Sequence, residues 1–108
     1  MKTIPGIPAE YSAQILDIFK PLRKDTMIIL YGSRAKGNFR EGSDIDLAIK
    51  GKNIMQKDRD KWLLKYENLN LPWKLDVVIY NNITEPALVE HIDRVGIQIC
   101  AHSSTDRT

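Results

Sequence analysis

The sequence predicts a small α/β domain of the α+β kind. Its sheet is mixed, with three strands and room for a fourth, and its helices lie mainly on one face. Three observations predict this. Apolar residues recur at helical spacing in three segments, and run together or alternate in three others. The two kinds of segment take turns along the chain, the pattern of a layered α/β domain. The 108 residues suffice for one core and leave no room for a second substrate-binding domain. Residues 1–108 are therefore read as one domain, with a polar tail from His102 to Thr108.

The elements follow in order. Pro8 suits the first turn of a helix, and Tyr11, Ile15, Ile18, Phe19 and Leu22 then recur at its spacing. Pro21 weakens its end. Thr26 to Tyr31 is a short apolar run with β-branched members, a buried strand that Gly32 ends. Arg34 to Phe39 is a short helix or turn, with Gly37 and Gly42 as breakers. Asp44 to Lys50 alternates as a second strand. Gly51-Lys52-Asn53 turns the chain, and Asn53 is placed to cap a helix from Ile54 to Asn68. Ile54, Trp62, Leu63 and Tyr66 mark its inner face. After a loop to Pro72, Trp73 to Tyr80 forms a third strand. A last helix runs from Glu85 to Arg94, stopped by Gly96, and Gly96 to Ala101 adds a short edge segment.

Composition excludes more than it identifies. At 43% hydrophobic and 28% charged, the chain is ordinary for a globular domain. A formal charge of +2 is too small to argue for direct nucleic-acid binding. Positive charge gathers locally, at Arg34, Lys36, Arg40, Lys50 and Lys52. Cys100 is the single cysteine, so no internal disulfide forms, and a buried thiol is expected. No apolar stretch reaches membrane-spanning length, and the N-terminus lacks the apolar run of a signal peptide. A cytoplasmic location is the resulting expectation.

Chemistry concentrates between Tyr31 and Leu47. Gly32-Ser33 is followed, after ten residues, by Asp44-Ile45-Asp46. Successive side chains of a strand point to opposite faces, so Asp44, Asp46, Ala48 and Lys50 share one face, and Ile45, Leu47 and Ile49 the other. The third strand repeats the pattern, with Lys74, Asp76, Val78 and Tyr80 on one face and Trp73, Leu75, Val77 and Ile79 on the other. If the two strands are neighbours, Asp76 falls beside Asp44 and Asp46 on a face that helices leave uncovered. Three converging carboxylates repel one another unless cations bind between them, and oxygen ligands suit Mg²⁺ or Mn²⁺. Two such ions would stabilise the attacking and leaving oxygens of an in-line displacement. Asp44 and Asp46 are expected as ligands. Asp76 is expected to hold the second ion and help deprotonate the attacking hydroxyl.

The chain carries its own control. Asp58-Arg59-Asp60 has the same acid spacing, but on a predicted helix, where residues two apart diverge by roughly 200°. Spacing alone is weak; strand context and the upstream turn give it meaning. Gly32 permits close approach of backbone to a ligand, and Ser33 adds a hydroxyl donor. Amides opening the next helix would bind β- and γ-phosphates. Arg34 and Lys36 are candidate phosphate neighbours, and Ser43 a candidate partner for a metal-bound water or, more simply, a turn residue. The Gly-Lys-Ser/Thr ending of a Walker loop is absent.

These residues resemble the nucleotidyltransferase superfamily that includes DNA polymerase β, and specifically its minimal nucleotidyltransferase family. The family pattern is Gly-Ser, ten residues, Asp-x-Asp, then a third acid on a later strand. Gly32, Ser33, Asp44, Asp46 and Asp76 match it, and Leu71 to Asp76 looks like the family's approach to the third strand. The resemblance implies Mg²⁺-dependent transfer of a nucleoside monophosphate, AMP from ATP, to a hydroxyl with release of pyrophosphate. It also implies a partner, a small helical HEPN protein; whether the working form is a homo- or hetero-oligomer is left open by the sequence. In such toxin–antitoxin pairs the minimal transferase is the antitoxin and adenylylates a tyrosine of the HEPN toxin.

Two other classes compete. One is a non-catalytic module that neutralises a partner by contact, although a pure binder has no need of three converging acids. The other is a metal-dependent phosphodiesterase or nuclease, which gains nothing from a triphosphate cradle at Gly32-Ser33. Elsewhere the simpler accounts hold. His91 is read as packed or partner-facing, Trp62, Trp73 and Tyr66 as core, and Lys57, Lys61 and Lys65 as a solvated helix face.

Overall fold

The computed structural model describes residues 3–101; the expected tail from His102 to Thr108 lies outside them. The elements are α1 (Ala9–Asp17), β1 (Met27–Tyr31), α2 (Ser33–Lys36), β2 (Ile45–Lys50), α3 (Gln56–Glu67), β3 (Leu75–Ile79), a 3₁₀ turn (Tyr80–Asn82), α4 (Pro86–Val95) and β4 (Ile97–Ala101). The four strands form one mixed sheet in the order β3-β2-β1-β4. β1 is antiparallel to both β2 and β4, whereas β2 and β3 run parallel. The edge segment expected after Gly96 is thus a full fourth strand.

The apolar parity of the strands decides the layers. Ile28 and Leu30 of β1, Ile45, Leu47 and Ile49 of β2, and Leu75 and Val77 of β3 all point to one face. Ile15 and Leu16 of α1 and Tyr66 of α3 cover them, with Trp62 and Leu63 packed at the margin. The Tyr66 hydroxyl donates to the Trp73 carbonyl at 2.5 Å, tying α3 to the start of β3.

The opposite face is not left uncovered. Ile92 of α4 is buried there against Tyr31 and Ala48, with Leu88 and Val95 beside it. Helical periodicity showed that α4 has an apolar side but not which surface would receive it. Ala48 provides the room, being small and fully buried.

Several boundaries differ from expectation: α2 ends at Lys36 rather than Phe39, α3 spans Gln56–Glu67, and β3 opens at Leu75 rather than Trp73. α1 stops at Asp17, ahead of Pro21, and Ile18 and Phe19 continue only as a turn bonded to the Ile15 and Leu16 carbonyls. Asn53 does not cap α3, because it occupies a left-handed turn position (φ 59°). Met55 is the cap residue, and Asp58 one turn in accepts its amide at 2.9 Å. Tyr80 leaves β3 for the 3₁₀ turn. Gly96 stops α4 as expected, for a steric reason. A Cβ there would run into the Ile92 carbonyl oxygen and Ile29 Cγ2, so the chain turns straight from helix to strand only if position 96 is bare. Cys100 is partly rather than fully buried.

Candidate active site

The register of the sheet builds the site. Tyr31 pairs with Asp46 across β1 and β2, and Asp46 pairs with Asp76 across β2 and β3. Residues directly opposite on adjacent strands share a face, so phenol, carboxylate and carboxylate stand in a row. Asp44 lies exposed one residue ahead of β2, and the Ile45 amide donates to the Lys74 carbonyl at 2.9 Å, fixing this end of the strand beside β3.

The row is electrostatically frustrated. Burial, then the charges of Asp76 and Asp44, raise the Asp46 carboxyl above the ordinary range, with His91 and Arg34 partly opposing them. Burial, reinforced by Asp76 and Asp46, raises the Tyr31 phenol as well, so it stays neutral. Among the described residues, none of Asp44, Asp46 and Asp76 is in an ion pair.

Gly32 closes the site from above. It holds φ 76°, a left-handed value, and a Cβ there would collide with Asp46 Oδ2. The bare backbone therefore lies directly over the carboxylate. α2 begins at once as a single turn, its Lys36 and Gly37 amides bonded back to the Gly32 and Ser33 carbonyls. Earlier amides of a helix have no intrahelical acceptor, so those of Ser33, Arg34 and Ala35 have none within α2. Lys36 is exposed on this turn.

Arg34 does something other than expected. It is 1% exposed, and its guanidinium is turned inward. Nη1 donates to the Pro5 carbonyl at 2.7 Å, Nη2 to the Ser43 carbonyl at 2.8 Å, and the group stacks over Phe39 at 5.1 Å. It ties the N-terminal segment and the loop before Asp44 to α2, and it is spent as a phosphate contact. Ser43 takes the turn role: its Oγ accepts the Arg40 amide at 2.8 Å.

Two residues enter the site to which the sequence assigns no role there. Tyr31 borders the motif as the end of a strand, and its place opposite Asp46 depends on a register that periodicity does not specify. His91, on α4, sets its ring edge-on to Tyr31 with centroids 6.0 Å apart. It is packed, and close enough to Asp46 for its charge to be felt there. The control pair behaves as a helix requires: Asp58 binds Arg23 at 2.6 Å, while Asp60 accepts from Gln56.

Oxygen donors of uncompensated charge are what a hard divalent cation needs. Among the described residues, no three acids, histidines or cysteines are gathered closely enough to enclose an ion on their own. The residues fit a cation held by one or two carboxylates and completed by water and substrate phosphates, the usual manner of Mg²⁺.

Residues 13–105 match the polymerase beta nucleotidyltransferase family. The chain belongs to that family. It is a nucleotidyltransferase. A Methanocaldococcus jannaschii protein named as a protein adenylyltransferase is 26% identical over 103 residues, spanning 80% of this chain and 99% of its own. A Haemophilus influenzae protein, named probable protein adenylyltransferase MntA, is 30% identical over 80 residues, 73% of this chain and 70% of its own. The fold is shared with a toxin–antitoxin crystal structure containing AMP-PNP, at TM-score 0.67 and 22% identity, over 87% of this chain and 76% of that one. A variant of the MntA–HpeT toxin–antitoxin pair matches at TM-score 0.66 and 20% identity, with the same coverage.

Proposed function

We propose that this nucleotidyltransferase moves AMP from ATP to a tyrosine hydroxyl of a HEPN-type helical partner, as the cytoplasmic antitoxin of a toxin–antitoxin pair. The observation that carries this reading is the Asp46–Asp76 register beneath the bare backbone of Gly32. It puts carboxylates with no cation partner directly below a turn open to phosphate. The names of the relatives supply the acceptor class, and the AMP-PNP complex of a similar fold supports the donor.

In this mechanism the acceptor oxygen attacks the α-phosphorus, and the bond from that phosphorus to the bridging β-oxygen breaks. Pyrophosphate leaves, and the hydroxyl proton passes to Asp76. Gly32 lets the triphosphate approach, Ser33 and the first amides of α2 donate to its oxygens, and Lys36 adds positive charge. Asp44, Asp46 and Asp76 would share the Mg²⁺ ions, one or two carboxylates to each, and the ions when bound would supply the positive charge that stabilises attacking and leaving oxygens.

The test is incubation of the protein with its toxin partner and ATP labelled at the α-phosphate. Label should appear on a partner tyrosine, with one pyrophosphate released per transfer, and Asp44→Asn with Asp46→Asn should abolish it. Undiminished labelling by that double variant would overturn the assignment. Neutralisation of the partner by the double variant without triphosphate would instead favour contact inhibition.

A further inference from the structure

Away from the carboxylates, a cavity of about 250 Å³ opens between the end of α1 and the outer side of α3. Phe19 and Trp62 form its aromatic wall, with centroids 5.2 Å apart, and Ile54 and Leu22 extend it. Three lysines stand at its rim: Lys20, Lys61 and Lys65. Lys61 and Lys65 have no ion-pair partner among the described residues, and Lys20 reaches only the exposed Asp17, at 4.0 Å. The one acid in the wall, Asp58, is neutralised by Arg23. Thr26 also lines the cavity, and its buried Oγ1 has no hydrogen-bond partner.

We propose that this cavity is the docking site for an acidic protein segment carrying one aromatic or branched aliphatic anchor. The size selects the occupant, since small-molecule sites run to roughly 300–1,000 Å³. A side-chain anchor in a pocket is also how protein partners concentrate their binding energy. The unpaired lysines then select acidic neighbours on either side of that anchor. Thr26 precedes β1, whose far end leads into Gly32, so the cavity lies roughly 15 Å from the carboxylates at about 3.3 Å per residue. Docking here leaves the transfer site free.

The test uses the intact ¹⁵N-labelled protein and the blocked peptide Glu-Asp-Phe-Glu-Asp, with Ala and Lys-flanked versions as controls. Saturable shifts of the Trp62 indole and of the Thr26, Lys61 and Lys65 amides are expected, and the same shifts from an Asp44→Asn variant. Lys61→Glu with Lys65→Glu, both exposed positions, should weaken binding at least tenfold, and the loss should shrink in 0.5 M salt. No saturable shift at millimolar peptide would overturn the proposal. So would equal binding of the Ala peptide, or the same shifts from inorganic phosphate alone, which would make this a simple anion site. Because binding is read without turnover, failure of the docking site and failure of the transfer chemistry are separate results.

Discussion

Asp46 illustrates how a functional side chain strains the fold that holds it. Its carboxyl is raised by burial and by Asp76 and Asp44, so the folded state binds its proton more tightly than the unfolded chain does. Stability is therefore lost as pH rises from the ordinary carboxylate range through the raised value, and that cost persists at neutral pH. Asp46→Asn should raise Tm at pH 7 by about 2–5 °C in metal-free buffer. The gain should vanish in acid, below the ordinary carboxylate value, while transfer is lost at every pH. Differential scanning fluorimetry across pH reads this directly, and a lower Tm at pH 7 would contradict it. Arg34 is the opposite case, a buried charge satisfied by backbone carbonyls. Arg34→Lys cannot reproduce the fork, and leaving those carbonyls unpaired should cost about 2–4 kcal/mol in urea unfolding. That both residues lie near one motif was legible in the sequence. Their opposite roles were not, because adjacent charges look alike until burial separates them.

At the scale of elements, the turns carry the sharpest consequences. Gly32→Ala must abandon a left-handed φ or push the new methyl into Asp46, so transfer should fall at least 100-fold, measured as kcat/KM with ATP. The start of α3 is held by Asp58, whose carboxyl the Met55 amide, then Arg23, keeps below the usual range. A lowered carboxyl stabilises the fold above its ordinary value and loses that contribution as pH falls through the lowered one. Asp58→Asn should accordingly reduce Tm at pH 7, and the difference should shrink as the pH is taken down through the lowered carboxyl value. Strand periodicity placed β1 and β2 within a residue and β3 within two, because alternation reflects one buried face. The cap of α3 was misread, since Asn serves equally well as a cap or as a left-handed turn residue, and only the path of the chain chooses between them.

For the molecule as a whole, two layers of helix on opposite faces explain why one end of the sheet is chemical and the rest is core. α1 and α3 bury the aliphatic face, while α4 covers the other only around Ala48 and leaves Asp44 exposed. Ligand binding to the native state alone should then stabilise it by mass action. Mg²⁺ with ATP should raise Tm of the parent protein and leave Asp44→Asn with Asp46→Asn unmoved, and EDTA should abolish transfer. A shift of equal size in the double variant would place the ligand elsewhere. The sequence by itself determined the kinds of element, the acid-bearing parity of β2 and β3 and the motif, because these depend on periods of two or 3.6 residues within one segment. Only the tertiary structure decided the pairing of Asp46 with both Tyr31 and Asp76, the inward turn of Arg34, the face taken by α4 and the cavity beside Trp62. Each of those depends on contacts between distant segments, where burial, not local spacing, selects the partner.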